Sequence, residues 1–246
     1  MKLSWLIALT ITLPHSLAND PVQVLHQLSH SSPAVRAKAA QTYGNGCRDR
    51  KLRRNFRRER SAQAKFEQAL RDREAMVRKA SIHMALCFGP EKSLGPLSSL
   101  FNDSDSATAL AAMTQVAHYE HPLGVAPLKI WMESRLDSCQ SNDGTFRERC
   151  VFSAYALGQA AQHEAPGSLI KREAVKGLTP FLVSAHPKTR EVAAVALSFV
   201  GDQREADLIS KLLTQEQSGE YPDKNTDEVL EHFKALIAKL KMVPVK

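Results

Sequence analysis

The segment from Arg48 to Arg60 contains the residue types that bind anions. It holds eight basic and two acidic residues, a net charge of +6, in a chain whose formal net charge is +7. Arginine stays charged at physiological pH, and its planar guanidinium group binds phosphate through two parallel hydrogen bonds. The segment therefore predicts a polyanion-binding surface of six arginines: Arg50, Arg53, Arg54, Arg57, Arg58 and Arg60.

A helix is the element that would hold these arginines together. Apolar residues fall on one side of a helical wheel and the arginines on the other, which predicts one long helix over residues 49–71. The apolar side consists of Leu52, Phe56, Ala62, Phe66, Ala69 and Leu70. The alternative interpretation of the arginines is a solvated outer face without a ligand.

Histidine, cysteine and acidic residues show no spacing that is specific for catalysis. His26 and His30 lie four residues apart on a predicted helix, which suits two ligands of one metal, but no third ligand lies near them. His118 and His121 straddle a helix end. A nucleophile elbow, a phosphate-binding loop and a His-Glu-x-x-His motif are absent from the sequence. We therefore expect no catalytic residues, no metal and no cofactor.

The stretch from His186 to Asp202 predicts an amphipathic helix that recurs along the chain. Pro187 suits the first helical turn, and Gly201 is a helix stop. Apolar residues recur between them at helical spacing: Val192, Val195, Ala196 and Phe199. Similar stretches begin at residues 32, 73, 104 and 145. Self-similarity at the length of a helix pair is typical of a helical solenoid.

The Val-Arg pairs in these stretches resemble the HEAT repeat family. The best matches are Pro33/Val35/Arg36, Val77/Arg78 and Pro187/Thr189/Arg190, and the resemblance covers nearly all of residues 20–241. It implies an all-α fold, a right-handed α-solenoid of about six antiparallel pairs, each with a first helix (A) and a second helix (B). It also implies that these arginines stack along the solenoid and pair with turn acids or carbonyl groups of neighbouring repeats.

Two enzyme families with similar repeats do not match at the residues that matter. Deoxyhypusine hydroxylases use several His-Glu pairs as iron ligands, whereas this sequence has only His163-Glu164. Bilin lyases act on cytoplasmic proteins, which conflicts with the export signal predicted below. The resemblance therefore implies the fold and no enzymatic activity.

The first 18 residues predict a cleaved signal peptide. Lys2 is followed by the apolar run Leu3–Leu13, and Ser16-Leu17-Ala18 places small residues at a signal peptidase site. The run is too short for a membrane-spanning helix, which needs about 20 residues. We expect residues 19–246 to form a single exported domain, periplasmic or secreted, monomeric and without a transmembrane segment.

Four cysteines are predicted to form disulfides in an oxidising compartment. Four cysteines allow three pairings. Cys47 and Cys87 follow the ends of successive B helices, while Cys139 and Cys150 flank the turn within one helix pair. These positions favour the pairs 47–87 and 139–150.

Two functional hypotheses remain, and they can hold together. In the first, the solenoid is a scaffold whose concave wall of B helices binds a protein partner. In the second, the arginine-rich segment binds an anionic lipid, lipopolysaccharide or nucleic acid. For an exported protein, anionic envelope components rank above nucleic acid.

Overall fold

The computed structural model describes residues 20–50, 52–141, 144–221 and 226–243. The predicted signal peptide, residues 1–18, lies outside them. The described residues form α-helices and short 3-10 helices, and no β-strand occurs among them. The all-α prediction is confirmed.

The helices group into two compact units, one ending at Cys87 and the other beginning at Phe88. The sequence predicted one domain, and the single domain stays a prediction. The described residues of the first unit form five α-helices and a final 3-10 helix over Ile82–Cys87. Its α-helices are α1 (Pro21–Gln27), α2 (Pro33–Arg48), α3 (Arg53–Arg58), α4 (Ala62–Leu70) and α5 (Ala75–Ser81).

The second unit alternates A and B helices as the sequence predicted. Its helices are α6 (Pro90–Ser98), α7 (Ser106–Tyr119), α8 (Val125–Ser134), α9 (Leu136–Gln140), α10 (Gly144–Ala161), α11 (Leu169–Leu178), α12 (Pro187–Val200), α13 (Gln203–Ser218) and α14 (Asp227–Lys241). The B helices are α7, α10, α12 and α14. The helix type changes at Pro180: α11 ends at Leu178, and a 3-10 helix spans Thr179–Val183.

Local capping explains where several of these helices begin. The side chains of Asp20, Asp105 and Ser168 accept hydrogen bonds from backbone N–H groups of the first turn of α1, α7 and α11. Asp202 and Glu205 form a reciprocal capping box at the start of α13. The starts of these four helices are therefore set by residues next to them in the sequence.

The arginine that opens each of the best-matching repeat helices forms hydrogen bonds to the turn before it. Arg36, Arg78 and Arg190 each donate to the carbonyl groups five and six residues before them, at 2.7–3.1 Å. Arg36 also donates two hydrogen bonds to the Asp72 carboxylate, of 2.7 and 2.9 Å, and these bonds lower the pKa of Asp72. The bond from Arg36 to Asp72 agrees with the implied pairing with an acid of a neighbouring repeat. The carbonyl partners differ from those implied, because they lie in the turn just before each arginine.

The single long helix predicted over residues 49–71 is wrong. Helix α3 ends at Arg58, Glu59 is extended with φ −69° and ψ 115°, and α4 begins at Ala62. In a continuous helix the Phe56 carbonyl would accept a hydrogen bond from the Arg60 N–H. Here it accepts a hydrogen bond from the Tyr43 hydroxyl. The Phe56 ring is fully buried and packs edge-on against Tyr43, with 4.7 Å between ring centroids. The end of α3 therefore coincides with contacts to a residue distant in sequence.

Candidate functional site

Phe152, Tyr155 and Phe199 are aromatic side chains on the surface of the B helices of the second unit. Phe152 and Tyr155, both on α10, are 40% and 41% exposed, and Phe199 on α12 is half-buried. The rings of Tyr155 and Phe199 meet edge to face, with 6.0 Å between centroids. We call Phe152, Tyr155 and Phe199 the aromatic face. Contiguous exposed apolar surface of this kind marks interaction sites.

Close packing of α10 against α12 brings these rings together. Gly158 lies against the backbone of Ala196: a Cβ atom on residue 158 would be only 2.9 Å from the Ala196 Cα. The small residues of α12, Ala193, Ala194 and Ala196, fill the interior, while Phe199 reaches the surface. The two helices can approach closely at Gly158 and Ala196 because both residues are small. The Tyr155 and Phe199 rings also meet between the same two helices.

A cleft of about 140 Å³ runs between α7 and α10 next to the aromatic face. Phe152 and Tyr155 form its apolar wall, and the polar side chains of Thr114, His118 and Gln159 line the rest. Glu120 also lines it and bonds to His163, with 2.7 Å between Oε2 and Nε2. An apolar wall with a few polar groups suits the binding of a side chain from another molecule.

Two of the histidines that the sequence singled out accept hydrogen bonds from nearby backbone groups. His30 Nδ1 accepts the N–H of Ser32 at 3.0 Å, and His121 Nδ1 accepts that of Leu123 at 3.3 Å. Within the part of the chain that the structure describes, no group of three or more His, Cys, Asp or Glu residues could hold a metal ion. No helix there is long and apolar enough to span a bilayer.

The six predicted anion-binding arginines do not share one helical face. Arg50 precedes α3, Arg60 follows it, and the other four lie within it. Arg53 is half-buried, and its Nε donates to the Cys47 carbonyl at 2.6 Å. The remaining five are exposed, and none forms an ion pair with a described residue: Arg50, Arg54, Arg57, Arg58 and Arg60. Anion binding at these positions stays a prediction.

The cysteines pair as the sequence predicted. Cys47 and Cys87 have their Cα atoms 5.2 Å apart, and Cys139 and Cys150 are 5.6 Å apart. Both separations lie within the range that a disulfide requires. The first pair joins the end of α2 to the end of the 3-10 helix, and the second joins α9 to α10.

The structure resembles engineered helical repeat proteins of known structure. A designed armadillo repeat protein in complex with the peptide (KR)4 matches with a TM-score of 0.60 and 16% identity, covering 90% of this chain and 99% of that chain. An engineered protein matches with a TM-score of 0.61 and 15% identity, covering 90% and 98%. The chain is an all-α helical repeat solenoid. At these identities the likeness bears on the fold alone.

Sequence comparisons assign no protein family to this chain. No protein-family model matches the chain, and a search of curated proteins found no significant match.

The aromatic face is the feature that sequence reasoning missed. The sequence assigned Val192, Val195, Ala196 and Phe199 to one apolar stripe, but only Ala196 of these four is buried, and the other three are half-buried. The available signal was the pair Phe152 and Tyr155, two large aromatic residues in an otherwise alanine-rich B helix.

Proposed function

We propose that this protein is an exported, non-enzymatic HEAT-like scaffold that binds a segment of a protein partner on the surface of its B helices. The observation that carries the proposal is the aromatic face: Phe152, Tyr155 and Phe199 lie together on B helices beside a cleft. A binding role for helical repeat proteins in general is supported by the solved neighbours, one of which is in complex with a peptide.

The aromatic face suits binding for a physical reason. Phe and Tyr side chains bury much apolar area and lose little rotational freedom, so they dominate the free energy of many interfaces. Lys239 of α14 lies 5.8 Å from the centre of the Phe199 ring and adds a cation at the rim. The cleft between α7 and α10 would take an apolar side chain of the partner, and the polar groups around it would orient the bound segment.

A peptide selection tests this surface. Peptides selected from a random display library against the full chain would be measured with the wild type and with a Phe152→Ala/Tyr155→Ala variant. We expect the double variant to lose roughly tenfold or more in affinity, as truncated hot-spot residues do. The matched control is Ile130→Ala, because Ile130 is 65% exposed on the A helix α8. Equal affinity of all three proteins for every selected peptide would contradict the proposal.

Export remains part of the proposal. The apolar run Leu3–Leu13 and the small residues before Asn19 support a cleaved signal peptide, and two cysteine pairs at disulfide distance suit an oxidising compartment. We expect the exported protein to begin at Asn19. The intact mass of the protein from the exported fraction checks this, and a mass that still contains Lys2 would contradict it.

Polyanion binding by the arginines is the second candidate function, and the distribution of charge favours it. Residues 20–87 carry 15 Lys and Arg against six Asp and Glu, whereas residues 88–246 carry 17 against 20. The five exposed arginines therefore lie in a unit that is strongly basic as a whole. An anionic lipid, lipopolysaccharide or nucleic acid would be attracted to this unit, and high salt would weaken the attraction.

A further inference from the structure

A groove of about 420 Å³ lies between α2 and α5 in the first unit, remote in sequence from the aromatic face. Gly44 of α2 permits this close packing, because a Cβ there would lie 2.6 Å from the Cβ of His83. The 3-10 helix that follows α5 thereby places His83 in the groove. Both walls belong to B helices, as in the site proposed above.

The charged side chains of this groove are all basic. Lys38 from α2 and Lys79 from α5 line opposite walls, and both are exposed. Among the described residues that line the groove there is no Asp or Glu, and neither lysine forms an ion pair with a described residue. Arg48, at the end of α2, lies beside His83, with 3.4 Å between Nη2 and Nδ1. The groove therefore has unpaired positive charge along both walls.

The same groove has an apolar component. Met76 is 52% exposed, and Ala34, Ala37 and Ala80 line the groove between the charged groups. Methionine is an adaptable contact for apolar side chains because it is unbranched and polarizable. A ligand that matches both components needs several negative charges and an apolar side chain between them.

We propose that the groove between α2 and α5 binds an extended acidic peptide segment of a partner protein. Lys38, Lys79 and Arg48 would bind its carboxylates, and Met76 would contact an apolar side chain between them. A polyphosphate or sulfated sugar would use the cations and leave Met76 and the alanines without a contact, so the lining favours a peptide. This goes beyond the proposed function, since it concerns another surface and specifies the charge of the ligand.

His83 makes the proposed binding depend on pH. Partial burial lowers the pKa of His83, and the positive charges of Arg48 and Lys79 lower it further. The bond from Arg48 also requires an unprotonated Nδ1. Bound carboxylates would raise this pKa again, so binding would take up a proton. Affinity should therefore rise as the pH falls from about 7.5 to about 5.5, while glutamate carboxylates remain largely ionised.

The test uses the full chain and a labelled twelve-residue peptide of Glu-Glu-Leu repeats, followed by fluorescence anisotropy at low salt. We expect this peptide to bind and the matched Gln-Gln-Leu and Lys-Lys-Leu peptides not to bind. A Lys38→Gln/Lys79→Gln variant should lose roughly tenfold in affinity, because each exposed ion pair adds only a few-fold. A Lys65→Gln/Arg71→Gln variant, with the same change of charge outside the groove, is the control.

Two further variants test the histidine and the independence of the two binding surfaces. His83→Gln keeps the Cβ that packs on Gly44, and it should remove the rise in affinity at low pH. Phe152→Ala/Tyr155→Ala should bind the acidic peptide like the wild type, so this result does not depend on the site in the second unit. The proposal is wrong if Lys38→Gln/Lys79→Gln and the control Lys65→Gln/Arg71→Gln lose affinity for the peptide equally. It is also wrong if inorganic polyphosphate binds through Lys38 and Lys79 while the Glu-Glu-Leu peptide does not.

Discussion

Arg190 and Glu216 form an ion pair that is closed off from solvent. Arg190 Nε lies 2.6 Å from Glu216 Oε1, and both side chains are 0% exposed. The same guanidinium group donates to the carbonyls of Ser184 and Ala185 and lies 3.9 Å from the centre of the Tyr221 ring. One arginine thus joins the turn before α12 to the last turns of α13.

Removing one partner of this pair should destabilise the protein strongly. Glu216→Ala leaves a buried, uncompensated guanidinium charge, which costs about 3–5 kcal/mol in the free energy of unfolding. Lys234→Ala removes a partner of Glu231 in an exposed pair and should cost at most about 1 kcal/mol. Urea denaturation followed by circular dichroism compares the two variants.

A double variant tests whether the charge itself is the cause. In Arg190→Met/Glu216→Met both charges are absent, so this variant should be more stable than Glu216→Ala. If it is less stable than the single variant, the loss comes from packing and not from an unpaired charge.

Phe56 should be the main anchor of α3 in the first unit. Its side chain is fully buried, and a Cβ on Gly46 would lie 2.6 Å from the Phe56 ring, so the ring fits closely against α2. Phe56→Ala should lower the free energy of unfolding by about 3–5 kcal/mol. Phe152→Ala, at a position that is 40% exposed, is the matched control and should cost clearly less. Equal losses would show that α3 is not held by Phe56.

The helix boundaries could be predicted because the signals that set them are local. The stretch that begins at residue 104 was predicted to contain a copy of the recurring helix, and α7 lies there, with Asp105 as its cap and Glu120 in the left-handed region at φ 47°. The break after α3 was not predicted, and the Phe56 carbonyl just before it accepts the hydroxyl of Tyr43, 13 residues earlier in the chain. Periodicity detects an apolar helix face, but it does not detect a distant side chain that captures a carbonyl group.

The candidate site was less predictable than the fold. Helical spacing assigned Phe199 to an apolar stripe, but it does not tell which neighbouring helix covers that stripe. Helices α10 and α12 approach closely at Gly158 and Ala196, so Ala196 is buried between them. Phe199 is half-buried beside Tyr155. The basic groove was missed for a similar reason, since Lys38 and Lys79 are 41 residues apart and become neighbours only when α2 packs on α5.

The two disulfides should stabilise the protein to different extents. Cys47–Cys87 spans a sequence separation of 40 and Cys139–Cys150 one of 11. Loop-closure entropy then gives about 4 kcal/mol for the first pair and about 3 kcal/mol for the second. Non-reducing peptide mapping checks the pairing, and urea denaturation of the Cys47→Ser/Cys87→Ser and Cys139→Ser/Cys150→Ser variants checks the order. Free thiols at all four positions in the exported protein would contradict both the pairing and the oxidising compartment.

The exposed arginines of α3 should give salt-sensitive binding to polyanions. Arg54, Arg57 and Arg58 are exposed, whereas Arg53 bonds to the Cys47 carbonyl and should be left in place because its loss would disturb the fold. Glutamine is a good helix former, so Arg54→Gln/Arg57→Gln/Arg58→Gln should fold normally. We expect this variant to elute from heparin at a clearly lower salt concentration than the wild type, because it lacks three of the charges that attract the polyanion. Salt weakens this attraction, since exposed charges are screened beyond about 8 Å at physiological ionic strength.

A variant with the same loss of charge elsewhere separates a specific surface from the net charge of the chain. Lys211, Lys234 and Lys241 are exposed on α13 and α14 of the second unit. If the arginines form the binding surface, Lys211→Gln/Lys234→Gln/Lys241→Gln should elute close to the wild type. If both triple variants shift equally, the interaction follows net charge alone and the arginines of α3 are a solvated surface. If neither variant shifts, the chain binds no polyanion through these positions, and the B-helix surfaces remain as its binding sites.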